Sequence, residues 1–146
     1  MPQSYVSNNQ HIVFSTFERR RTIAVEHQKQ LWGYLAGITK NLRCQPMAIG
    51  GIEDHVHLLI AFPGDLDVAE YANKLKSSSS KWMKQFHKDF AWQKGYGSFS
   101  VSVSNVASAT AYIEDQAQHH KKIDSRAEFL LLLQKHGVVF EEKFVE

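Results

Sequence analysis

Residues 45–62 read QPMAIGGIEDHVHLLIAF, and this stretch decides the fold. Gln45 to Glu53 and His55 to Phe62 are apolar, strand-prone runs meeting at Glu53-Asp54, which predicts two strands around a tight turn. Pro63-Gly64-Asp65 ends the second strand. Working backwards, Leu31, Tyr34, Leu35, Ile38 and Leu42 recur at three- and four-residue steps and predict an amphipathic helix over Val25 to Leu42. Before it, Gln10 to Phe17 (QHIVFSTF) reads as a strand. Working forwards, Asp67 with Glu70 three residues later predicts the capped start of a helix running from about Val68 to Phe90. Ser98 to Val103 (SFSVSV) alternates strictly and predicts a half-buried strand. Asn105 is the expected cap of a helix from Val106 to about Lys121, and Ser125 to Lys135 forms a last helix ended by Gly137. The order β-α-β-β-α-β, then two helices, predicts an α+β, ferredoxin-like (split βαβ) antiparallel sheet with helices on one face and a further C-terminal helix.

With 146 residues the chain is expected to form one domain, residues 1–146. Its 43% apolar and 22% charged content provides enough apolar surface to offset chain entropy, which excludes disorder as the dominant state. A net charge of only +2 means that any nucleic-acid site is a local patch rather than a global field. The single Cys44 excludes an intrachain disulfide and a cysteine zinc cage, and fits a reduced, cytoplasmic setting. Met1 to Ser15 lacks the cationic start and apolar run of a signal peptide. No stretch approaches the ~18 apolar residues that span a bilayer, so no membrane partner is expected.

Chemistry concentrates in three places. His55-Val56-His57 lies on a strand, where residues two apart share a face, so both imidazoles project together while Val56, Leu58 and Ile60 point towards the helix-covered core. That spacing suits two adjacent ligands of one metal ion. Eight histidines give roughly 0.4 such pairs by chance, so the pair alone reads more simply as two histidines at the exposed start of a strand. Tyr112 and Gln116 stand one helical turn apart, with His119 and His120 continuing near that face. Taken alone, Tyr112 reads as a half-buried ring sending its hydroxyl to water.

Together these groups specify a reaction. A tyrosine hydroxyl with a pKa of ~10 is a weak nucleophile unless the electrophile is polarised. A divalent ion held by His55, His57 and Gln116 would polarise a phosphodiester, and Tyr112 would attack it to give a covalent phosphotyrosine. The covalent bond conserves the phosphodiester energy, so strands can be rejoined without ATP. Zinc, copper or nickel would also accept the imidazoles, and His120 is the alternative third ligand. The reading requires the phenol to approach a cation gripped by both imidazoles. Rings sealed inside the protein, or aimed away from every copy of that phenol with no feasible helix swing, would overturn it.

His55-Val56-His57-Leu58-Leu59, preceded by Glu53-Asp54, resembles the HUH motif (His, hydrophobic, His) of the single-tyrosine transposases of small single-stranded-DNA insertion sequences, the IS-two-hundred-like group. The HIVFST strand with its arginine-rich turn is similar to that family's N-terminus. Trp92-Gln93-Lys94-Gly95-Tyr96-Gly97 followed by Ser98-Phe99-Ser100-Val101-Ser102 resembles its approach to the catalytic helix, and Tyr112-Ile113-Glu114-Asp115-Gln116 with His119-His120-Lys121 resembles that C-terminal catalytic helix itself. The resemblance covers nearly the whole chain. It implies a dimeric transposase that cuts single-stranded DNA beside subterminal hairpins, leaving a 5′-phosphotyrosine and a free 3′-hydroxyl. It further implies Mg²⁺ or Mn²⁺, with His55, His57 and Gln116 as ligands and Tyr112 as nucleophile. The tyrosine helix of one subunit can complete the site of the other, so placement within a subunit or across the dimer stays open.

Candidate DNA contacts are Arg19, Arg20 and Arg21 after the first strand, and Lys74, Lys76, Lys81 and Lys84 on the long helix with Ser77 to Ser80 as phosphate donors. His120 is a further candidate for a phosphate contact. Tyr96 is the better base-stacking candidate, while Trp82 suits core or dimer packing and Trp92 stays open. Cys44 reads as a small buried residue, and His11, His27, His87 and His136 as structural or exposed. Two other functions fit the same elements. One is a domesticated relative that processes repeat palindromes. The other is a non-catalytic single-strand-binding module, which would present aromatics rather than histidines on its open sheet face.

Overall fold

The computed structural model describes residues 4–145, so the start of the Met1 to Ser15 stretch lies outside the described residues. Strands β1 (Asn9–Ser15), β2 (Gln45–Ile52), β3 (His55–Ala61) and β4 (Gly97–Ser100) form an antiparallel sheet in the order β2-β3-β1-β4. Helix α1 (Val25–Asn41) links β1 to β2, and α2 (Val68–Met83) links β3 to β4. This is the expected ferredoxin-like arrangement. The short Glu53-Asp54 turn makes β2 and β3 a hairpin whose register sets Gly50 opposite His57 and Ile52 opposite His55.

Alternation divides the side chains of the sheet. Ile12, Phe14, Val56, Leu58 and Ile60 face α1 and α2 and form the main core with Leu31, Leu35, Tyr71 and Leu75. Each fully buried aliphatic side chain there contributes roughly 1.5–3 kcal/mol. The opposite face carries His11, Val13, His57 and Leu59, covered by α3 (Val106–Glu114), α4 (Gln116–His119) and α5 (Ser125–Lys135). Thus α1 and α2 layer one face as expected, and the C-terminal helices close the other.

Asp67 caps α2 as expected, its side chain accepting from the Glu70 N–H at 2.7 Å, and Asp124 caps α5 in the same way through Ala127 at 2.8 Å. Asn105 makes no side-chain cap. Helix α2 stops at Met83 rather than Phe90, because the chain turns back to bury Phe90 and Trp92 in the main core, held by Lys84 Nζ on the Phe90 carbonyl at 3.0 Å. The expected continuous helix over Val106 to Lys121 breaks at Asp115, whose backbone (φ −101°, ψ 24°) leaves the helical region. Strand β4 ends at Ser100, since its pairing with β1 runs only to Gln10. Among the described residues no helix is long and apolar enough to cross a membrane.

Candidate metal and tyrosine site

The hairpin and the C-terminal helices meet over the second face of the sheet. His55 and His57 project from β3 on that face, as residues two apart must. Both are buried, at 1% and 0% exposure, so they are not the exposed strand-start pair that the spacing also allowed. The rings are sealed in this form, which counts against the expected chemistry unless their cover moves. The material over them is polar and comes from this chain's own C-terminal segment: Gln116 (1% exposed), His120 and Glu128 (2% exposed).

Every imidazole of the cluster is oriented through Nδ1. His55 Nδ1–H donates to Asp54 Oδ1 at 2.8 Å, and His120 Nδ1–H to the Ile123 carbonyl at 2.6 Å. His57 Nδ1 shares a 2.7 Å hydrogen bond with His11 Nε2. The three Nε2 atoms therefore turn to one point, where Glu128 Oε1 lies 2.8 Å from His57, 3.2 Å from His120 and 3.3 Å from His55. Gln116 Oε1 lies 3.0 Å from both His55 Nε2 and His120 Nε2. One ligating atom each from His55, His57, His120 and Glu128 lies within 4.8 Å of the others. Second partners on Nδ1, with Nε2 turned to a shared point, are the usual support of a histidine metal ligand; here the Nε2 atoms meet the Glu128 and Gln116 oxygens there. The donor set thus fits a divalent cation, and both Gln116 and His120 contribute to it.

Tyr112 reaches the cluster from α3. Its ring lies 5.8 Å from the His57 ring, its hydroxyl donates to Glu128 Oε2, and His119 Nε2 stands 3.4 Å away. Helix α3 comes this close because Gly50 has no side chain: a Cβ there would lie 2.2 Å from the Ile113 carbonyl oxygen. Gln116 Nε2 donates back to the Tyr112 carbonyl at 3.2 Å, so the pair stays coupled across the break at Asp115.

The electrostatics follow from this packing. Burial opposes charge on His55, but hydrogen bonds to the Asp54 and Glu128 carboxylates outweigh it and raise its pKa to about 9. Burial dominates for His57, lowered to about 4, and for His11, lowered to about 3. Burial would raise the Glu128 carboxyl, yet hydrogen bonds from His120, His55 and His57 hold it well below the usual range. Burial and then the neighbouring Glu128 carboxylate push the Tyr112 phenol up, so it is protonated at neutral pH.

The structure brings together Tyr112, His55, His57, Gln116 and His120. Arg19 stands nearby, its Nη1 donating to Ser125 Oγ at 2.9 Å, and Ser125 Oγ donates in turn to Asp54 Oδ2 at 3.0 Å. Arg20 and Arg21 pair with Glu18 and Glu53 at the surface, and Lys74 with Glu70. Lys76 is committed to the Gln93 and Gly95 carbonyls at 2.5 and 2.8 Å, fixing the loop that presents Tyr96, while Lys81 is exposed on α2. Ser77 and Ser79 spend their hydroxyls on helix carbonyls. Trp82 stacks on Tyr34 between α1 and α2, Trp92 is buried and donates to Ser79, and Cys44 is buried. Tyr96 is 39% exposed and lines a cleft of about 260 Å³ with Arg19, Lys94 and His55. A second cleft of about 540 Å³ is lined by Tyr112, His119 and Glu128 among others.

Sequence reading missed Glu128, Asp54 and His11. Glu128 shares the buried face of α5 with Ser125 and Leu132, a carboxylate at an apolar-face position of the helical period. His11 occupies the inward alternation of β1, one position before core residue Ile12 and two before Val13.

A family model described as Transposase IS200 like matches residues 4–116. The transposase for insertion sequence element IS200 of Salmonella typhimurium is 26% identical over 129 residues, covering 82% of this chain and 81% of the relative, and that of Salmonella typhi matches equally. Among solved structures, a candidate transposase from Deinococcus radiodurans R1 superposes with a TM-score of 0.63 at 22% identity, covering 80% of this chain and 96% of the other. A REP-associated tyrosine transposase bound to a REP hairpin superposes at 0.59 with 15% identity, covering 77% and 68%. At these identities the structural likenesses establish the shared fold.

Proposed function

The chain belongs to the IS200-like transposase family, and from that premise we propose that it is a metal-dependent, single-tyrosine HUH enzyme, one domain over residues 1–146, that cuts and rejoins single-stranded DNA at hairpin-flanked element ends. DNA cleavage and rejoining in transposition is the general activity of the family. The observation that carries the finer reading is the convergence of the Tyr112 phenol with the Nε2 atoms of His55 and His57 and the Gln116 amide oxygen within one cluster. A divalent ion held there would polarise the phosphate oxygens and neutralise charge as it develops. With two or three imidazoles among the donors, Mn²⁺ suits the set better than Mg²⁺.

Tyr112 Oη attacks phosphorus. The Oη–P bond forms, the P–O3′ bond breaks, and the proton lost by the phenol is balanced by one gained on the departing 3′ oxygen. His11 and Asp54 hold the imidazoles in the orientation that leaves Nε2 inward. Arg19 and Tyr96, which line the cleft beside His55, supply a phosphate contact and a base-stacking surface. The REP hairpin bound by the REP-associated relative supports a hairpin substrate here too. The closeness of Tyr112 to its own histidines supports action within one subunit of a homodimer in the cytoplasm.

Incubation with hairpin-bearing single-stranded DNA and MnCl₂, followed by denaturing electrophoresis, tests the reading. A slow-migrating covalent adduct is expected, absent in Tyr112→Phe and absent with EDTA. Adduct in Tyr112→Phe places the nucleophile elsewhere. DNA binding without adduct over many end sequences supports a passive binding module instead.

A further inference from the structure

The Glu128 carboxylate stands where a phosphodiester has to go. An attacked phosphate needs one oxygen against the cation and its phosphorus beside the phenol oxygen. Glu128 puts Oε1 among three Nε2 atoms, at 2.8, 3.2 and 3.3 Å, and uses Oε2 to accept from the Tyr112 hydroxyl. Among the described residues, its carboxylate bridges imidazoles and phenol with one anionic group. Ligands ~2.1 Å from a common ion and at right angles to one another lie ~3.0 Å apart. The Glu128 separations are those of N–H···O hydrogen bonds while no ion is bound, and they equally suit neighbouring ligands of one ion, so the same atoms can serve both arrangements.

Helix α5 carries this carboxylate inward and is anchored at its start, where Ser125 Oγ donates to Asp54 Oδ2 at 3.0 Å and accepts from Arg19. Residue 128 also lies beyond the stretch, residues 4–116, that matches the family model. With His55 and His57 at 1% and 0% exposure, DNA reaches them only after this cover moves.

We propose that Glu128 is a ligand of the divalent ion in the DNA-free protein and that the scissile phosphate replaces it when DNA binds. This rests on the reading that Tyr112 attacks a phosphodiester held at the two imidazoles. The exchange swaps one monoanion for another, so the net charge of the site is unchanged. It also frees the Tyr112 hydroxyl, which the carboxylate otherwise holds.

Titration of the metal-free full chain with MnCl₂ alone, by calorimetry or by loss of the free Mn²⁺ electron-resonance signal, reads the ligand role without catalysis. Glu128→Gln keeps the shape and is expected to weaken Mn²⁺ binding at least ~10-fold, and Glu128→Ala more. Unchanged affinity in both variants overturns the assignment. At saturating Mn²⁺, Glu128→Ala is expected to form the covalent adduct several-fold faster than the parent, because the phosphate no longer competes with a carboxylate. Slower adduct formation there means the carboxylate serves the chemistry, and it overturns the exchange. Ser125→Ala loosens α5 and leaves every proposed ligand in place, although Asp54 and Arg19 each lose a partner. It is expected to speed adduct formation with Mn²⁺ affinity unchanged, and if the position-128 variants do not fold, an unchanged rate in Ser125→Ala overturns the exchange. If no protein forms adduct but Mn²⁺ affinity depends on Glu128, the Tyr112 reading and the exchange built on it fall while the ligand assignment stands. If adduct forms and Mn²⁺ affinity ignores Glu128, the ligand assignment and the exchange fall while the Tyr112 reading stands.

Discussion

Replacing Gly50 with alanine tests whether the approach of α3 to the sheet sets the position of Tyr112. The added Cβ would lie 2.2 Å from the Ile113 carbonyl oxygen and 3.1 Å from its carbonyl carbon. Both are backbone atoms, so no side-chain rotation relieves the clash. A normal C···O contact of ~3.2 Å requires α3 to retreat by roughly 1 Å. Overpacking of this kind costs about 1–3 kcal/mol. Tyr112 is the residue before Ile113, so the phenol moves with the clash, and a misplacement of ~1 Å at a reacting group can cost ~100-fold in rate. The assay is single-turnover adduct formation at saturating Mn²⁺ and DNA, alongside thermal unfolding. Gly33→Ala on the exposed face of α1 is the matched control. Nothing lies within 4 Å of a Cβ there, and alanine is expected to stabilise by roughly 0.5–1 kcal/mol without changing the rate. Gly50→Ala with the parent's rate and stability would refute the claim that the missing side chain sets the position of Tyr112.

The metal-free protein is expected to be most stable near pH 6.5. His57 and His11, lowered from 6.5 to about 4 and about 3, resist protons that the unfolded chain accepts, so stability falls as the pH drops below 6.5. His55, raised from 6.5 to about 9, contributes fully below 6.5 and loses its contribution as the pH rises to about 9. Each group changes stability by up to ~1.4 kcal/mol per pH unit inside its window. Urea midpoints of EDTA-treated protein between pH 5 and 9 measure this, and a steady rise from 6.5 to 9 would contradict it. Tyr71→Phe removes the buried 2.8 Å hydrogen bond to Thr39 on the far side of the sheet. It is expected to cost ~1 kcal/mol in chemical denaturation and to leave adduct formation unchanged.

Local patterns revealed most of the framework. The period-two alternation of HVHLLIAF placed both imidazoles on one face because strand geometry forces it, whatever lies opposite. The Asp67 cap and the start and end of α5 were legible for the same reason, being set by neighbours within a turn. Element ends were less so. The stop of α2 at Met83 follows from burial of Phe90 and Trp92, a packing gain that helical periodicity does not contain.

Sequence alone thus determined the order of elements, the shared face of His55 and His57 and the spacing of Tyr112 and Gln116, since each depends on backbone geometry over a few residues. Tertiary structure decided what those groups meet. Glu128 joins His57 across 71 positions, and His11 joins it across 46, through the stacking of α5 on the sheet and the β1–β3 register. Contacts at such separations arise from how faces pack against each other, and no local period records which carboxylate will arrive at which imidazole.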